Sequence, residues 1–142
     1  DTKVHLVLEL KPHATPEAET AAAEAVVKMV GRYGLSKRVP YISFSLHVMK
    51  ELARLAPAKT QLMYLGGGTL PKDLKAMGLT GCDFNYGVYL NNPTWLNDIK
   101  ALKMASNVWT VNNPADMIWA IENRVDFITT DRPDLFLKLT RK

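Results

Sequence analysis

Several features are missing from this 142-residue sequence, and each absence excludes a class of protein. One cysteine, Cys82, leaves no partner for an internal disulfide and no cysteine-built metal module. No window approaches the ~18 consecutive apolar residues that cross a bilayer, so no transmembrane segment is expected. No block of one charge stands out: 18 basic and 14 acidic side chains give a net charge of +4. The adjacent basic pairs, Lys37-Arg38 and Arg141-Lys142, have no aromatic residues interleaved. A nucleic-acid binder carries a basic stripe or motif, so the basic balance reads as a solvated surface and no nucleic-acid partner is expected. No Gly-Lys-Ser/Thr follows Gly66-Gly67-Gly68, which excludes a P-loop. The chain is also short of the ~250 residues that a complete (β/α)8 barrel typically needs.

What is present is a globular composition. Hydrophobic residues make up 47% and charged residues 23%, enough for a core and unlike a disordered chain. Asp1-Thr2-Lys3 leads straight into a strand-like run, so any signal peptide was removed or lies outside this chain. The compartment stays open.

Two kinds of segment alternate along the chain. The run 4–10 is apolar and β-rich and ends at Pro12. Thr15-Pro16-Glu17 reads as N-cap, first helical residue and acidic first turn, opening a helix through Tyr33 that Gly34 stops. Strands are expected at 39–44, 61–65, 82–86, 108–111 and 125–129. The helices between and after them fall at about 46–55, from Leu70-Pro71 with Thr69 as a possible cap, 93–104, 114–123 and 133–139. Six β-then-α units in one domain, residues 1–142, imply an α/β fold with a parallel sheet. Either an open doubly wound sheet or most of a barrel fits, and both place function at the carboxyl ends of the strands.

The first strand carries the clearest chemistry. Alternation puts His5, Val7, Glu9 and Lys11 on one face and Leu6, Leu8 and Leu10 on the other. An acid and a base two apart at the carboxyl end could bind a divalent cation and a phosphate oxygen, or could form a salt bridge at the sheet rim. The Gly66-Gly67-Gly68 loop reads as flexible in preference to an anion cradle. Trp109, in the fifth strand, could wall a pocket, and Asn112 could meet ligand hydroxyls. Trp95 and Trp119 read as helix-packing residues. Asp131 could contact a ligand or cap the last helix, the cap being the simpler reading. Among the histidines, His5 lies at the amino end of its strand, His47 begins a helix, and His13 follows Lys11 in a loop. No Ser-His-Asp or Cys-His arrangement assembles by motif.

Leu8-Glu9-Leu10-Lys11, Ile42-Ser43-Phe44-Ser45, Val108-Trp109-Thr110-Val111-Asn112 and Thr130-Asp131-Arg132-Pro133-Asp134 occur here in order. Together they resemble the later part of the glycerophosphodiester phosphodiesterase family. The resemblance implies a TIM-barrel-type (β/α) repeat with six of eight units present, an incomplete barrel corresponding to strands three to eight. It implies hydrolysis of glycerophosphodiesters to glycerol 3-phosphate and an alcohol, with calcium or magnesium on the phosphate and two histidines as acid and base. Glu9 falls on the family's metal-binding glutamate, Lys11 on its phosphate-contacting lysine and Trp109 on its pocket tryptophan. Asn112 and Asp131 match polar positions at the ends of the last two strands. The family's opening His-Arg strand and its second strand, with an acidic metal pair and His-Asp, have no counterpart here. Arg124 and Phe127 stand where the family favours glycine. The expectation is therefore a chain inactive on its own, its free strand edges covered by a second copy or by a retained N-terminal fragment, or its sheet opened and rearranged. The other readings are a non-catalytic phosphate-binding module and a receiver-like domain, the latter lacking clustered acids after its first strand.

Overall fold

The structure, a computed structural model, describes residues 4–140; Asp1–Lys3 and the Arg141-Lys142 pair lie outside the described residues. Six parallel strands form one sheet in the order in which they occur in the chain, β1 Leu8–Glu9, β2 Tyr41–Ser43, β3 Leu62–Tyr64, β4 Gly81–Asn85, β5 Ala105–Trp109 and β6 Phe127–Ile128. Between and after them run α1 Pro16–Arg32, α2 Leu46–Leu55, α3 Pro71–Ala76, α4 Tyr86–Asn91, α5 Trp95–Ala101, α6 Pro114–Glu122 and α7 Pro133–Thr140. Strictly sequential order has no point at which the winding reverses, and a doubly wound sheet requires one. The sheet is a curled part of a (β/α) barrel.

Helix starts follow the sequence closely. Thr15 Oγ1 accepts the Ala18 N–H at 3.2 Å, and Pro16 opens α1. Ser45 caps α2 and Asn113 caps α6 by the same device. Gly34, at φ +69°, ends the turn after α1. Three expectations need correction. The run 4–10 is a strand only at Leu8–Glu9, because β1 is an edge that pairs with β2 alone, and Val4 and Leu6 are exposed. Thr69 caps nothing: Leu70 precedes α3 and no side chain bonds there. The segment after β4 coils at once into α4, a helix that the sequence pattern does not reveal. Tyr89 of α4 anchors it, its buried hydroxyl donating to Asn107 O at 3.0 Å.

Alternation in the strands divides two environments. Tyr41, Ser43, Leu62, Tyr64, Cys82, Phe84, Ser106 and Val108 point outward and are buried beneath the helices. There they join Val48, Leu52, Leu74, Ile99 and Met117 in the main core. Ile42, Met63, Asp83 and Asn107 point inward, where with Val7 and Phe127 they help line an interior cavity of about 670 Å³. The apolar helix-to-sheet layer, each large side chain worth roughly 1.5–3 kcal/mol on burial, holds the curved sheet while its inner face stays open.

The last strand is held by a side chain more than by its short ladder. Asp126 Oδ2 accepts both the Ser106 N–H at 2.8 Å and the Ser106 hydroxyl at 2.9 Å. Replacing it, Asp126→Ala, is expected to cost about 2 kcal/mol in urea unfolding, the worth of hydrogen bonds to a charged acceptor, with amide exchange accelerating first at Thr129.

Candidate functional site

All six strands run in one direction, so their carboxyl ends and following loops gather at one mouth of the curled sheet. Glu9 comes from the end of β1, Phe44 from just past β2, Asp83 from β4, Trp109 from the end of β5 and Thr129 from just past β6. These side chains help line a cavity of about 210 Å³ at that mouth. The interior cavity is the larger of the two, but the mouth collects the candidate side chains from the strand ends, and Glu9 and Asp83 line both.

Glu9 and Lys11 form an ion pair of 2.8 Å, with side-chain exposures of 28% and 73%. The structure shows the salt-bridge reading of the pair, formed at the mouth with the Lys11 ammonium exposed. Trp109 lies edge-on to Phe44, ring centroids 5.6 Å apart at 85°, an arrangement favoured by the aromatic quadrupole. Its indole Nε1–H donates to Asp83 O at 2.9 Å, fixing the ring as a wall. Trp95 is buried and Trp119 packs edge-on against Tyr86, as helix-packing residues should.

Asn112 and Asp131 are brought together, but with each other. Asn112 Nδ2 donates to Asp131 Oδ2 at 2.8 Å, and the Asp131 N–H donates back to Asn112 Oδ1 at 2.9 Å. The Thr130 hydroxyl adds a third bond to Asn112 Oδ1. The pair straps the loop after β5 to the loop after β6. The Asp131 carboxylate is thus engaged by Asn112, and no bond from it to the first turn of α7 is seen. The glycine loop is built for close packing. A Cβ on Gly66 would meet the Tyr64 hydroxyl at 2.4 Å, and one on Gly67 would meet Val88 at 2.3 Å. Gly66 and Gly67 let the chain pass close to Tyr64 and Val88, while Gly68 faces open space.

Sequence reasoning missed Asp83. It is 2% exposed, and its Oδ1 has no hydrogen-bond partner among the described residues. Burial, opposed by the nearby Asn107 amide and reinforced by Glu9, pushes its pKa up to about 6. Buried carboxyls shifted in this way concentrate at functional sites. The available signal was alternation: counted from the outward Cys82 and Phe84, Asp83 falls on the inner face with Glu9.

Comparison with known proteins bears on this geometry. Residues 2–135 match the Glycerophosphoryl diester phosphodiesterase family. A glycerophosphodiester phosphodiesterase of Caldanaerobacter subterraneus subsp. tengcongensis is 29% identical over 124 residues, 84% of this chain and 49% of the relative. A glycerophosphodiester phosphodiesterase of Parabacteroides distasonis, known from its crystal structure, is 47% identical with a TM-score of 0.92, over 95% of this chain and 56% of its own. An Oleispira antarctica phosphodiesterase, solved with the product sn-glycerol-3-phosphate, shares the fold at 17% identity and a TM-score of 0.76, over 94% of this chain and 54% of its own. This chain spans about half the length of these relatives.

The raised pKa of Asp83 makes stability depend on pH with a definite sign. The native state holds this proton more tightly than the unfolded chain, whose carboxyl titrates near 3.8. The carboxyl therefore adds no penalty below that pH and costs stability as pH rises through about 6. Glu9, facing it from β1, adds to the penalty and His5 lines the same interior. Asp83→Asn should exceed the parent chain in urea-unfolding stability by about 2 to 3 kcal/mol at pH 8. The gap should close toward pH 4.

Proposed function

The chain belongs to the glycerophosphoryl diester phosphodiesterase family, and from that premise we propose that it forms part of an enzyme hydrolysing glycerophosphodiesters to glycerol 3-phosphate and an alcohol. The observation that carries the proposal is the Glu9–Lys11 pair at the mouth, with Trp109 beside Glu9 in the cavity lining. The Lys11 ammonium would stabilise negative charge that builds on a non-bridging phosphoryl oxygen. Trp109 and Phe44 would offer an aromatic surface to the carbon backbone of the glyceryl group. The sn-glycerol-3-phosphate bound by the Oleispira relative agrees with this ligand class. Asn112 and Asp131, held to each other, would shape the rim on the β5 and β6 side.

A divalent cation, calcium or magnesium, would polarise the phosphoryl group when bound, with Glu9 as one ligand. The described residues do not fit a complete site for it. Among them no group of three or more acids, histidines or cysteines is placed to hold a metal, and Glu9 is already paired with Lys11. Hard cations take six or more oxygens, so no step on this chain runs through the cation. Protonation of the leaving oxygen needs an acid. His5 lies toward the amino end, His13 is exposed in the loop after Lys11 and outside the mouth-cavity lining, and His47 Nε2 is bonded to Thr20 at 2.9 Å. The 142 residues by themselves are therefore expected to bind a glycerol phosphate without turning over a diester.

The free edges of β1 and β6 carry exposed Val7 and Phe127. They would be covered by pairing with a second copy or with further βα units, and light scattering of the purified chain would reveal such association.

A non-catalytic module binding phosphorylated ligands is the second reading, favoured by the absence of a histidine from the mouth-cavity lining among the described residues. One experiment separates the two. The chain is fused behind the N-terminal βα units of the Parabacteroides relative and assayed for release of glycerol 3-phosphate from glycerophosphocholine and glycerophosphoethanolamine, with calcium and with magnesium. Turnover that falls at least about a hundredfold in Lys11→Ala supports the enzyme. A folded chimera that binds glycerol 3-phosphate but releases none supports the binding module.

A further inference from the structure

Glu19 is a buried carboxylate to which the proposed chemistry assigns no part. It stands in the first turn of α1 at 7% exposure, on a helix whose other first-turn acid, Glu17, faces solvent. Both of its oxygens are taken. Oε1 accepts the His13 N–H at 3.2 Å, and Oε2 accepts the Ser45 hydroxyl at 2.7 Å. Ser45 in turn donates its N–H to Ser43 Oγ at 3.0 Å, and Ser43 donates its hydroxyl to Leu10 O at 2.7 Å. The chain of bonds runs from the loop after β1, through the start of α1 and the end of β2, back to the last residue before Lys11.

Its two ends bracket one short segment. Leu10 is pinned by Ser43 and by its own N–H to Ile42 O at 3.0 Å, and His13 is pinned by Glu19. Between them lie only Lys11 and Pro12, and proline fixes one of the backbone angles in that gap. The Lys11 side chain is 73% exposed and forms an ion pair with Glu9. A long exposed ammonium loses substantial rotamer entropy when held in place, so its backbone must supply the order. A side chain that merely solvated the helix N-terminus would not need burial or a hydroxyl partner from another strand's loop.

We propose that Glu19, acting through the His13 N–H and through Ser45, whose N–H holds the Ser43 hydroxyl, is a positioning residue that sets Lys11 for phosphate. This rests on the reading of Lys11 as the phosphate-contacting lysine, and it adds the group that aims it.

The test is a double-mutant cycle on the full chain, with sn-glycerol 3-phosphate as probe in calorimetric titration and the Lys11 Nζ and Cε resonances followed by NMR without phosphate. Glu19→Ala should weaken binding about tenfold in the parent background and less than about twofold in Lys11→Ala. Glu19→Gln, which keeps one acceptor oxygen, should recover part of the loss. In the absence of phosphate, Glu19→Ala should move the Lys11 resonances toward those of an unpaired lysine. Equal losses in both backgrounds, or unchanged Lys11 resonances in a folded Glu19→Ala, overturn the inference. Should Glu19→Ala fail to fold by circular dichroism, Ser45→Ala, which removes one of the two contacts, is read by the same criteria. If the parent chain and Lys11→Ala are alike in failing to bind, the reading of Lys11 as the phosphate lysine falls. The Lys11 resonances then decide alone whether Glu19 positions that side chain.

Discussion

Everything in this protein depends on one constraint: six strands laid parallel and in chain order, each fed by a helix on the outer side. Parallel pairing sends every strand end that matters to the same mouth, and sequential order curls the sheet in one direction. The pleat then sorts each strand's side chains. One set is pressed against helices and must be apolar, while the other faces an interior where an acid, an amide or an indole is tolerated. Glu9, Asp83, Asn107 and Trp109 are all in the second set.

Around the mouth, polar groups engage one another both within a strand end and across neighbouring strands. Glu9 takes Lys11 within one, while Trp109 holds the Asp83 carbonyl and Asn112 holds Asp131 across two. Glu19 and the serines of β2 do the same one layer out, beneath the loop that bears Lys11. The mouth is thus preorganised by bonds between loops, each of which would be free if its neighbour were absent. Preorganised donors and charges are what stabilise a phosphoryl group without a reorganisation cost.

Most of the helices were legible because their signals are local: Thr15 before Pro16, Gly34 after α1 and Pro114 at the start of α6 act within a few residues. The first strand was overread because hydrophobicity marks the potential to pair, whereas a strand exists only where a partner lies alongside. For Val4 to Val7 there is none among the described residues. The glycine loop was misread for a related reason, since its purpose lies in the Tyr64 ring and Val88 that cross it. Asp83 was hidden by its neighbours Cys82 and Phe84, which make the strand read as plain core.

The sequence alone determined the βα rhythm, the Thr15 cap of α1, the placement of Glu9 beside Lys11 on one face, and the ordered motifs that tie the chain to its family. Each of these rests on spacing within a few residues or on linear pattern. Only the tertiary structure decided that Asp83 shares an interior with Glu9, that Asn112 and Asp131 bond to each other, and that a buried glutamate in α1 braces the lysine loop. Those facts join residues separated by 6 to 74 positions, whose meeting depends on how the parallel strands bring their loops to one end.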